Sequence, residues 1–401
     1  MEEPVKKDEE TRKFGSWKDV DCMVITIVCD VLGEENNGTT VAAANLIKYM
    51  KLYGHEVRVL CADQDKSGLQ DYYIVPELKL LPPLSSYVNK VGVDIAAPNR
   101  KVMMQALNGS DIVHIMTPFL LGTAALYLAK HMHIPVTAGF HCQAENLTSH
   151  FHMMNVSAAN HMTYKAMHDI FYRHVDCIHY PTQFIRDIYE EETGPSNGVV
   201  ISNGVSPLFR RKKKSRPLEY DGRFLILNIG RYGMEKSQNV LLDAVHLSAY
   251  EKDIQVILAG QGPLYDKLKK QGERLTNPPV MKLYTREALA DVANYADLYV
   301  HAAEVDLEAI ACLEAISCGL VPVIANSPRC ATRNFALSEN NLFDVGDPKA
   351  LALKIDYWIE HPEERASFQQ SYLTYSRQFC LDECMKRMEE MFSNNLYSRM
   401  K

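Results

Sequence analysis

The stretch that most constrains the fold of this chain is residues 303–322, AEVDLEAIACLEAISCGLVP. Read at helical spacing, its apolar side chains cover most of the surface, which is typical of a helix that is buried on all sides. Gly319 can end that helix, and the apolar run at 321–324 predicts a strand behind it. We therefore expect this stretch to lie in the core of a domain.

Two acids interrupt the apolar stretch. Asp306 and Glu314 are separated by seven mostly small or apolar residues, and Glu314 lies in the middle of the predicted helix. A buried carboxylate is costly unless something bonds it, yet no basic residue lies within one helical turn. Two interpretations stay open. In one, Asp306 caps the helix and Glu314 pairs with a distant arginine. In the other, the helix start binds a phosphate-bearing ligand, and the acids accept hydrogen bonds from sugar hydroxyls.

The same residues carry a resemblance to a known family. Residues 314–323, EAISCGLVPV, resemble the donor-binding signature of the retaining glycosyltransferases of family four, in which two glutamates seven residues apart are followed by Ala-x-x-Cys-Gly-x-Pro-Val. Asp306 stands where the family has the first glutamate, and residues 307–309, Leu-Glu-Ala, replace the family's Gly-Phe-Gly. With these departures, Glu304 or Glu308 could share the role of Asp306.

The rest of the chain predicts an α/β protein. The order strand, loop, helix, strand that begins with the apolar run 22–29 is typical of a doubly wound sheet, and a similar order begins at 224–230. The resemblance implies the GT-B fold, in which two Rossmann-like domains face each other across a cleft and the C-terminal helix returns to the first domain. We expect a flexible tail at 1–20, an acceptor-side domain at 21–205, a basic linker at 206–222, a nucleotide-sugar-binding domain at 223–375 and a returning helix at 376–401.

Candidate ligand-binding residues lie at the carboxyl ends of predicted strands, where α/β sheets bind ligands. Gly38 follows the first strand and precedes a helix, and His141 ends the strand predicted at 134–141. Arg231 and Lys236 flank the loop after 224–230, which would put two cations where a diphosphate meets backbone N–H groups. Taken alone, His141 could be a structural histidine, and either cation could be a surface residue.

The resemblance implies a role for each of these residues. It implies that His141 faces the donor sugar, that Arg231 and Lys236 bind the donor diphosphate, and that the nucleotide base lies near the end of the strand at 281–284. Asp306 would hold the sugar ring and Glu314 the ribose hydroxyls. The catalytic set is then His141, Asp306, Arg231 and Lys236, and the donor-binding set is Gly38, Arg231, Lys236, Tyr284, Asp306, Leu307, Glu308, Ala309 and Glu314.

The reaction that the resemblance implies is transfer of a hexose from a nucleoside-diphosphate sugar, here expected to be a UDP-sugar, to an acceptor hydroxyl. Attack on the same face as the departing diphosphate is the family-based expectation. No cofactor and no metal are expected, because the cations that offset the leaving-group charge come from the protein. The histidine pairs at 131/133 and 150/152 also do not suit a tetrahedral metal site.

The acceptor is less constrained by the sequence. Residues 307–331 resemble bacterial enzymes that glycosylate diacylglycerol or similar membrane lipids, so a lipid acceptor is our first expectation. A soluble or cell-envelope polysaccharide acceptor is the second. A non-catalytic sugar-nucleotide-binding subunit stays open as a different class, and Asp306 in place of glutamate is the feature that favours it.

Composition and charge limit the possible partners. The net charge of −7 argues against a nucleic-acid partner. No apolar run approaches the roughly 20 residues that span a bilayer, and the charged start lacks the apolar core of a signal peptide. Ten scattered cysteines fit a reducing cytoplasm.

A basic cluster in the linker contrasts with the negative net charge. Its six cations fit either a solvated loop or a surface that docks on the inner face of an anionic membrane, and the apolar segment at 74–97 favours the membrane. The cluster consists of Arg210, Arg211, Lys212, Lys213, Lys214 and Arg216.

Overall fold

The computed structural model describes residues 22–30, 32, 38–78, 96–149, 151 and 153–398. The predicted tail at 1–20 lies outside the described residues, and so does most of the apolar segment at 74–97. Within them, the strands form two separate sheets, one in each half of the chain.

The first sheet has seven parallel strands in the order β3-β2-β1-β4-β5-β6-β7. The central strands are buried and mostly apolar. Ile27 of β1, for example, is paired with Val59 of β2 on one side and with His114 of β4 on the other. The strands are β1 (Val24–Val28), β2 (Glu56–Cys61), β3 (Tyr72–Ile74), β4 (Ile112–Ile115), β5 (Val136–Gly139), β6 (Cys177–Tyr180) and β7 (Gly198–Val200).

The helices of the first half connect these strands and cover the sheet. Two of them begin with a side-chain cap: Asn99 caps α2 and Thr182 caps α6. The helices are α1 (Gly38–Leu52), α2 (Arg100–Leu107), α3 (Leu120–His131), α4 (Ala144–Ser149), α5 (Ser157–Ile170) and α6 (Gln183–Thr193).

The second sheet has six parallel strands in the order β10-β9-β8-β11-β12-β13. Its strands are β8 (Phe224–Ile229), β9 (Ile254–Ala259), β10 (Val280–Lys282), β11 (Leu298–His301), β12 (Pro322–Ala325) and β13 (Leu342–Phe343). Both sheets therefore have the doubly wound order that the sequence predicts, with the order reversing beside β1 and β4 in one and beside β8 and β11 in the other.

The helices of the second half include the buried one that the sequence singled out. That helix, α10, begins at Ile310, because Ala309 has a left-handed backbone (φ 56°, ψ 65°) and ends the preceding loop. The helices are α7 (Gln238–Leu247), α8 (Tyr265–Gly272), α9 (Arg286–Tyr295), α10 (Ile310–Ser317), α11 (Pro348–Glu360) and α12 (Pro362–Tyr375).

The last helix, α13 (Leu381–Ser398), packs on the first half of the chain. The chain crosses between the halves twice, and the two crossings lie side by side: Val205 N donates to Phe379 O (2.8 Å), and Leu381 N donates to Val205 O (3.3 Å). From α13, six buried residues join the core beside β1 and α1: Leu381, Cys384, Met385, Met388, Met391 and Phe392.

In the part of the chain that the structure describes, no helix combines the length and the apolar character needed to cross a membrane.

Candidate active site

The candidate site lies where the loops after β8 and β11 meet at the carboxyl end of the second sheet. The loop after β8 begins at Gly230 and is held by the turn after β9, which packs against it backbone to backbone. A Cβ atom on Gly260 would lie 2.0 Å from Gly230 O, and one on Gly262 would lie 2.6 Å from Tyr232 N. Glycine is therefore required at both positions, and this packing fixes the loop that carries Arg231.

Lys236 and Asp306 form an ion pair between these two loops. Lys236 Nζ lies 2.5 Å from Asp306 Oδ2, and Ala309 N donates to Asp306 Oδ1 (2.9 Å). Burial by itself raises the pKa of Asp306, but the Lys236 ammonium and then the His301 ring outweigh it and hold that pKa below its usual value. Asp306 is thus ionised, and its partner Lys236 is the cation that the sequence placed at the diphosphate.

His301 is a third member of this cluster, and the sequence analysis did not identify it. It is the last residue of β11, and its Nε2 lies 3.6 Å from Asp306 Oδ2. Its other nitrogen, Nδ1, lies 3.3 Å from the Tyr299 hydroxyl. Burial lowers the pKa of His301 to about 4, so its ring is neutral. Its position at the end of a central strand is the signal that could have identified it.

Glu314 pairs with a distant arginine. It is 1 % exposed, and Arg286 Nη1 donates to its Oε2 (3.2 Å) while Arg286 Nη2 donates to its Oε1. The Arg286 guanidinium also lies 4.6 Å from the centre of the Phe209 ring. The structure therefore supplies the partner that the first interpretation of Glu314 required. The role of Glu314 toward ribose remains a prediction.

Glu308 makes its hydrogen bonds to the first half of the chain. It is 1 % exposed, and its carboxylate accepts hydrogen bonds from Ser202 Oγ (2.5 Å), Asn203 N (3.0 Å) and Asn203 Nδ2 (2.5 Å). Beside it, Thr182 Oγ1 donates to Leu307 O (2.8 Å). Of the three residues predicted to contact the donor at 307–309, two thus bond the first half of the chain, and the third is the left-handed Ala309.

Glu304 and Arg329 make a further connection between the two halves. Glu304 accepts hydrogen bonds from Ser237 Oγ (3.2 Å) and Arg329 Nη2 (3.2 Å). Arg329 Nη1 in turn donates to Met154 O (3.0 Å) and Asn155 Oδ1 (2.6 Å) of the first half. Sequence reasoning missed Arg329, because its partners lie far from it along the chain.

His141 follows β5 in the first half and is buried. Its ring lies against Gly139, where a Cβ atom would be 2.3 Å from His141 Nε2, and that nitrogen has no hydrogen-bond partner among the described residues. The centre of its ring lies 5.7 Å from that of His179. Burial, and then the neighbouring His179, lower the pKa of His141 to about 3. A neutral imidazole can donate or accept one hydrogen bond but carries no charge.

Three other predicted residues lie at or near the ends of helices and strands. Arg231 follows β8, and its carbonyl oxygen accepts from Gln238 Nε2 (2.9 Å). Gly38 begins α1 and is exposed. Tyr284 lies two residues beyond β10, with Lys282 Nζ 5.3 Å from the centre of its ring. The strand predicted at 281–284 ends at Lys282, so Tyr284 belongs to the following loop.

The basic linker is fastened to the second half of the chain. Arg216 Nη2 lies 2.7 Å from Asp297 Oδ2, and Lys214 Nζ lies 2.8 Å from Asp291 Oδ2. Arg211 Nη1 donates to Cys318 O at the end of α10 (3.2 Å). Three of the six side chains in the predicted membrane-binding cluster therefore bond protein groups, which leaves fewer cations for an anionic surface than the sequence suggested.

In the described ranges, no group of three or more His, Cys, Asp or Glu side chains is arranged to hold a metal ion. The charges of the site come instead from paired lysine, arginine and carboxylate side chains.

Two family models match consecutive parts of the chain. The Glycosyltransferase Family 4 model matches residues 36–207, and the model for Glycosyl transferases group 1 matches residues 209–372. The first match covers strands β2 to β7 of the first sheet, and the second match covers all six strands of the second sheet. The chain therefore belongs to the family-four GT-B glycosyltransferases, and the predicted family is confirmed.

Several characterised relatives are similar to this chain. The alpha-monoglucosyldiacylglycerol synthase of Streptococcus pneumoniae is 25% identical over 54% of this chain, and the match spans only 52% of that protein. A GDP-mannose-dependent alpha-mannosyltransferase of Corynebacterium glutamicum is 24% identical over 84% of this chain and 80% of its own length.

A solved structure supports the fold. HepE from Anabaena, crystallised in complex with UDP-glucose, superposes with a TM-score of 0.73 at 16% identity and covers 93% of this chain and 100% of its own. At that identity the likeness concerns the fold alone, and it confirms the predicted pair of facing Rossmann-like domains.

Proposed function

We propose that this chain is a retaining hexosyltransferase that uses a nucleoside-diphosphate sugar and glycosylates a hydroxyl of a membrane lipid. The observation that carries the proposal is the Lys236–Asp306 pair, which joins the loops after β8 and β11 at the carboxyl end of the second sheet. That edge, where the strand order reverses, is the usual ligand site of a doubly wound sheet.

The site contains the charges that such a transfer needs. In the reaction, the bond from sugar C1 to the diphosphate oxygen breaks, and a bond from C1 to the acceptor oxygen forms. The departing diphosphate gains negative charge, which Lys236 and Arg231 would offset. Burial lowers the pKa of Lys236, but the Asp306 carboxylate and then Glu235 raise it further, so that the pKa lies above its usual value and Lys236 stays charged.

The pairing of the carboxylates favours attack on the same face. Asp306 is held by Lys236 and Glu314 by Arg286, and a carboxylate bound to a cation is a weaker nucleophile and base. Double displacement through either acid is therefore disfavoured. In the proposed route, a diphosphate oxygen takes the proton of the acceptor hydroxyl. His141 would donate one hydrogen bond to the sugar, as its neutral ring permits.

The proposed acceptor is a lipid such as diacylglycerol or a glycolipid, in line with the relative that makes monoglucosyldiacylglycerol products. The enzyme would then act as a peripheral protein on the inner face of the cell membrane. The proposed donor is a UDP-sugar; the GDP-mannose-dependent relative makes GDP-mannose the first competitor to test.

The decisive experiment incubates the protein with labelled UDP- and GDP-sugars and either diacylglycerol in vesicles or a soluble polysaccharide. We expect the label to appear in the lipid with one of the donors. If the sugar of that donor is α-linked, the glycosidic bond of the product should be α-linked as well. The matched control is Arg231→Ala, which removes a cation of the site and leaves the Lys236–Asp306 pair in place. Product on the polysaccharide alone would replace the lipid acceptor, and donor binding without transfer or hydrolysis would identify a non-catalytic binding subunit.

A further inference from the structure

The loop at 304–309 carries three acids at alternate positions, and each bonds a different part of the molecule. Glu304 bonds Ser237 and Arg329, Asp306 bonds Lys236, and Glu308 bonds the first half of the chain. We call residues 304–309 the donor loop. The contact of Glu308 has no role in the chemistry proposed above. Because burying a carboxylate is costly, this contact calls for another explanation.

The partner of Glu308 is the turn formed by Ser202 and Asn203, more than 100 residues earlier in the chain. Three donors converge on the carboxylate, from the Ser202 hydroxyl, the Asn203 backbone and the Asn203 amide. The adjacent carbonyl of Leu307 accepts from Thr182 Oγ1. Four donors of the first half thus bond the side chain of Glu308 and the carbonyl beside it, so this side of the loop is firmly attached to the first half.

The turn itself is held by the returning helix. Gly204 has a left-handed backbone (φ +77°), and a Cβ atom there would lie 2.8 Å from Leu381 Cα and 3.2 Å from Cys384 Cβ. The turn thus packs closely against α13, beside the two places where the chain crosses between the domains. It provides a fixed point to which the donor loop is bonded.

We infer that Glu308 is a positioning residue that fastens the donor loop to this turn, so that closure of the cleft and placement of Asp306 occur together. The inference rests on the proposed function. Only Leu307 separates Asp306 from Glu308, and its carbonyl is bonded to Thr182, so little freedom remains between the two carboxylates. Opening of the cleft at this point would release Glu308 and with it the constraint on Asp306.

The contact depends on the acceptor oxygens of residue 308 more than on its charge. Burial raises the pKa of Glu308 to about 7, although the hydrogen bonds from Ser202 and Asn203 lower it and Asp306 adds a smaller rise. From α13, Cys384 also lies close enough to interact electrostatically with Glu308. A glutamine at 308 keeps one acceptor oxygen and nearly the same volume, whereas an alanine leaves three buried donors without an acceptor.

The test compares Glu308→Ala, Glu308→Gln and Asn203→Ala with Glu339→Gln, a control at an exposed carboxylate of the second half. We expect Glu308→Ala to lower kcat for glycosyl transfer by about 10- to 100-fold, with a smaller change in the KM for the donor, because the loop is misplaced while the other donor contacts remain. Glu308→Gln should restore most of this activity. The double variant Glu308→Ala/Asn203→Ala should be no worse than Glu308→Ala.

A second readout does not depend on activity. Small-angle X-ray scattering of the full chain should give a larger radius of gyration for Glu308→Ala than for the wild type and for Glu339→Gln. If Glu308→Ala does not fold, the same kinetic and scattering measurements on Asn203→Ala test the inference instead. Wild-type dimensions and kinetics for Glu308→Ala, or for Asn203→Ala in that case, would overturn the inference. Absence of transfer by the wild type, with the expected scattering difference, would instead overturn the proposed function.

Discussion

Lys236 and Asp306 lie 70 residues apart in the chain, and their side chains form an ion pair with Nζ 2.5 Å from Oδ2. Sequence reasoning assigned them separately, Lys236 to a diphosphate and Asp306 to a sugar ring. Because they bond each other, a change at one alters the environment of the other. Their pairing also joins the loops after β8 and β11, so that it contributes to the shape of the site as well as to its charge.

The first prediction concerns the stability of this pair. We expect Lys236→Ala to destabilise the protein by roughly 3 kcal/mol, because it leaves the largely buried Asp306 carboxylate without its cation. The double variant Lys236→Ala/Asp306→Asn should recover part of that loss. Thermal unfolding of the wild type, of Lys236→Ala, of Asp306→Asn and of the double variant measures this coupling, and a double variant no more stable than Lys236→Ala would contradict it.

The second prediction concerns Arg231 and Lys236 in catalysis. We expect Arg231→Ala and Lys236→Ala each to lower kcat/KM by roughly 100-fold, since each would remove one cation from the departing diphosphate. Both act on one group, so the double variant should lose less than the product of the two losses. Lys270→Ala, which removes an exposed cation on α8, is the control. Wild-type activity in either single variant would exclude that residue from the diphosphate site.

The third prediction concerns Arg286 and Glu314. The side chain of Arg286 is 24% exposed and that of Glu314 is 2% exposed, so water can solvate the arginine but hardly reaches the carboxylate. We therefore expect Arg286→Ala to lower the melting temperature more than Glu314→Ala does. Donor affinity, measured by calorimetry on both variants, tests the ribose role separately. Unchanged affinity in Glu314→Ala would leave Glu314 with a structural role alone.

The fourth prediction concerns pH. The pKa of Glu308 is raised from 4.5 to about 7, so the folded protein holds this proton more tightly than the unfolded chain does. The stabilisation is therefore complete below pH 4.5 and is lost as the pH rises through about 7, with a total on the order of 3 kcal/mol. We expect the melting temperature of the wild type to fall relative to that of Glu308→Gln over this range. A pH-independent difference between the two proteins would show that Glu308 does not titrate there.

The fifth prediction concerns the basic linker. If it docks on an anionic membrane, replacing Lys212, Lys213 and Lys214 with Ser should weaken cosedimentation with anionic vesicles, most clearly at low salt. The melting temperature should change little, because the Lys214–Asp291 pair is a surface pair worth less than about 1 kcal/mol. Arg216→Ser is a useful comparison, since Arg216 also bonds the Arg223 and Tyr295 carbonyls and its loss should affect stability. Unchanged vesicle binding in the lysine variant would leave this cluster as an ordinary linker.

The sequence by itself determined the fold class and the family. Apolar runs bounded by polar loops predicted the central strands of both sheets within one or two residues at most ends, since burial on both faces demands continuous apolar stretches. The spacing of Asp306 and Glu314, followed by the Cys-Gly-x-Pro pattern, was enough to identify the family. The sequence also located Arg231 and Lys236 in a loop between a strand and a helix, because such a loop can be recognised from the apolar pattern on either side of it.

Only the tertiary structure decided which charges are paired. Glu314 bonds Arg286, 28 residues away, Asp306 bonds Lys236 and lies beside His301, and Glu308 bonds a turn 105 residues earlier. Helical and strand periodicity describes neighbours along one element and contains no information on which loops meet at the ends of different strands. The start of α10 at Ile310 has the same origin: the donor loop is bonded to both halves of the chain, and Ala309 at its end adopts a left-handed conformation.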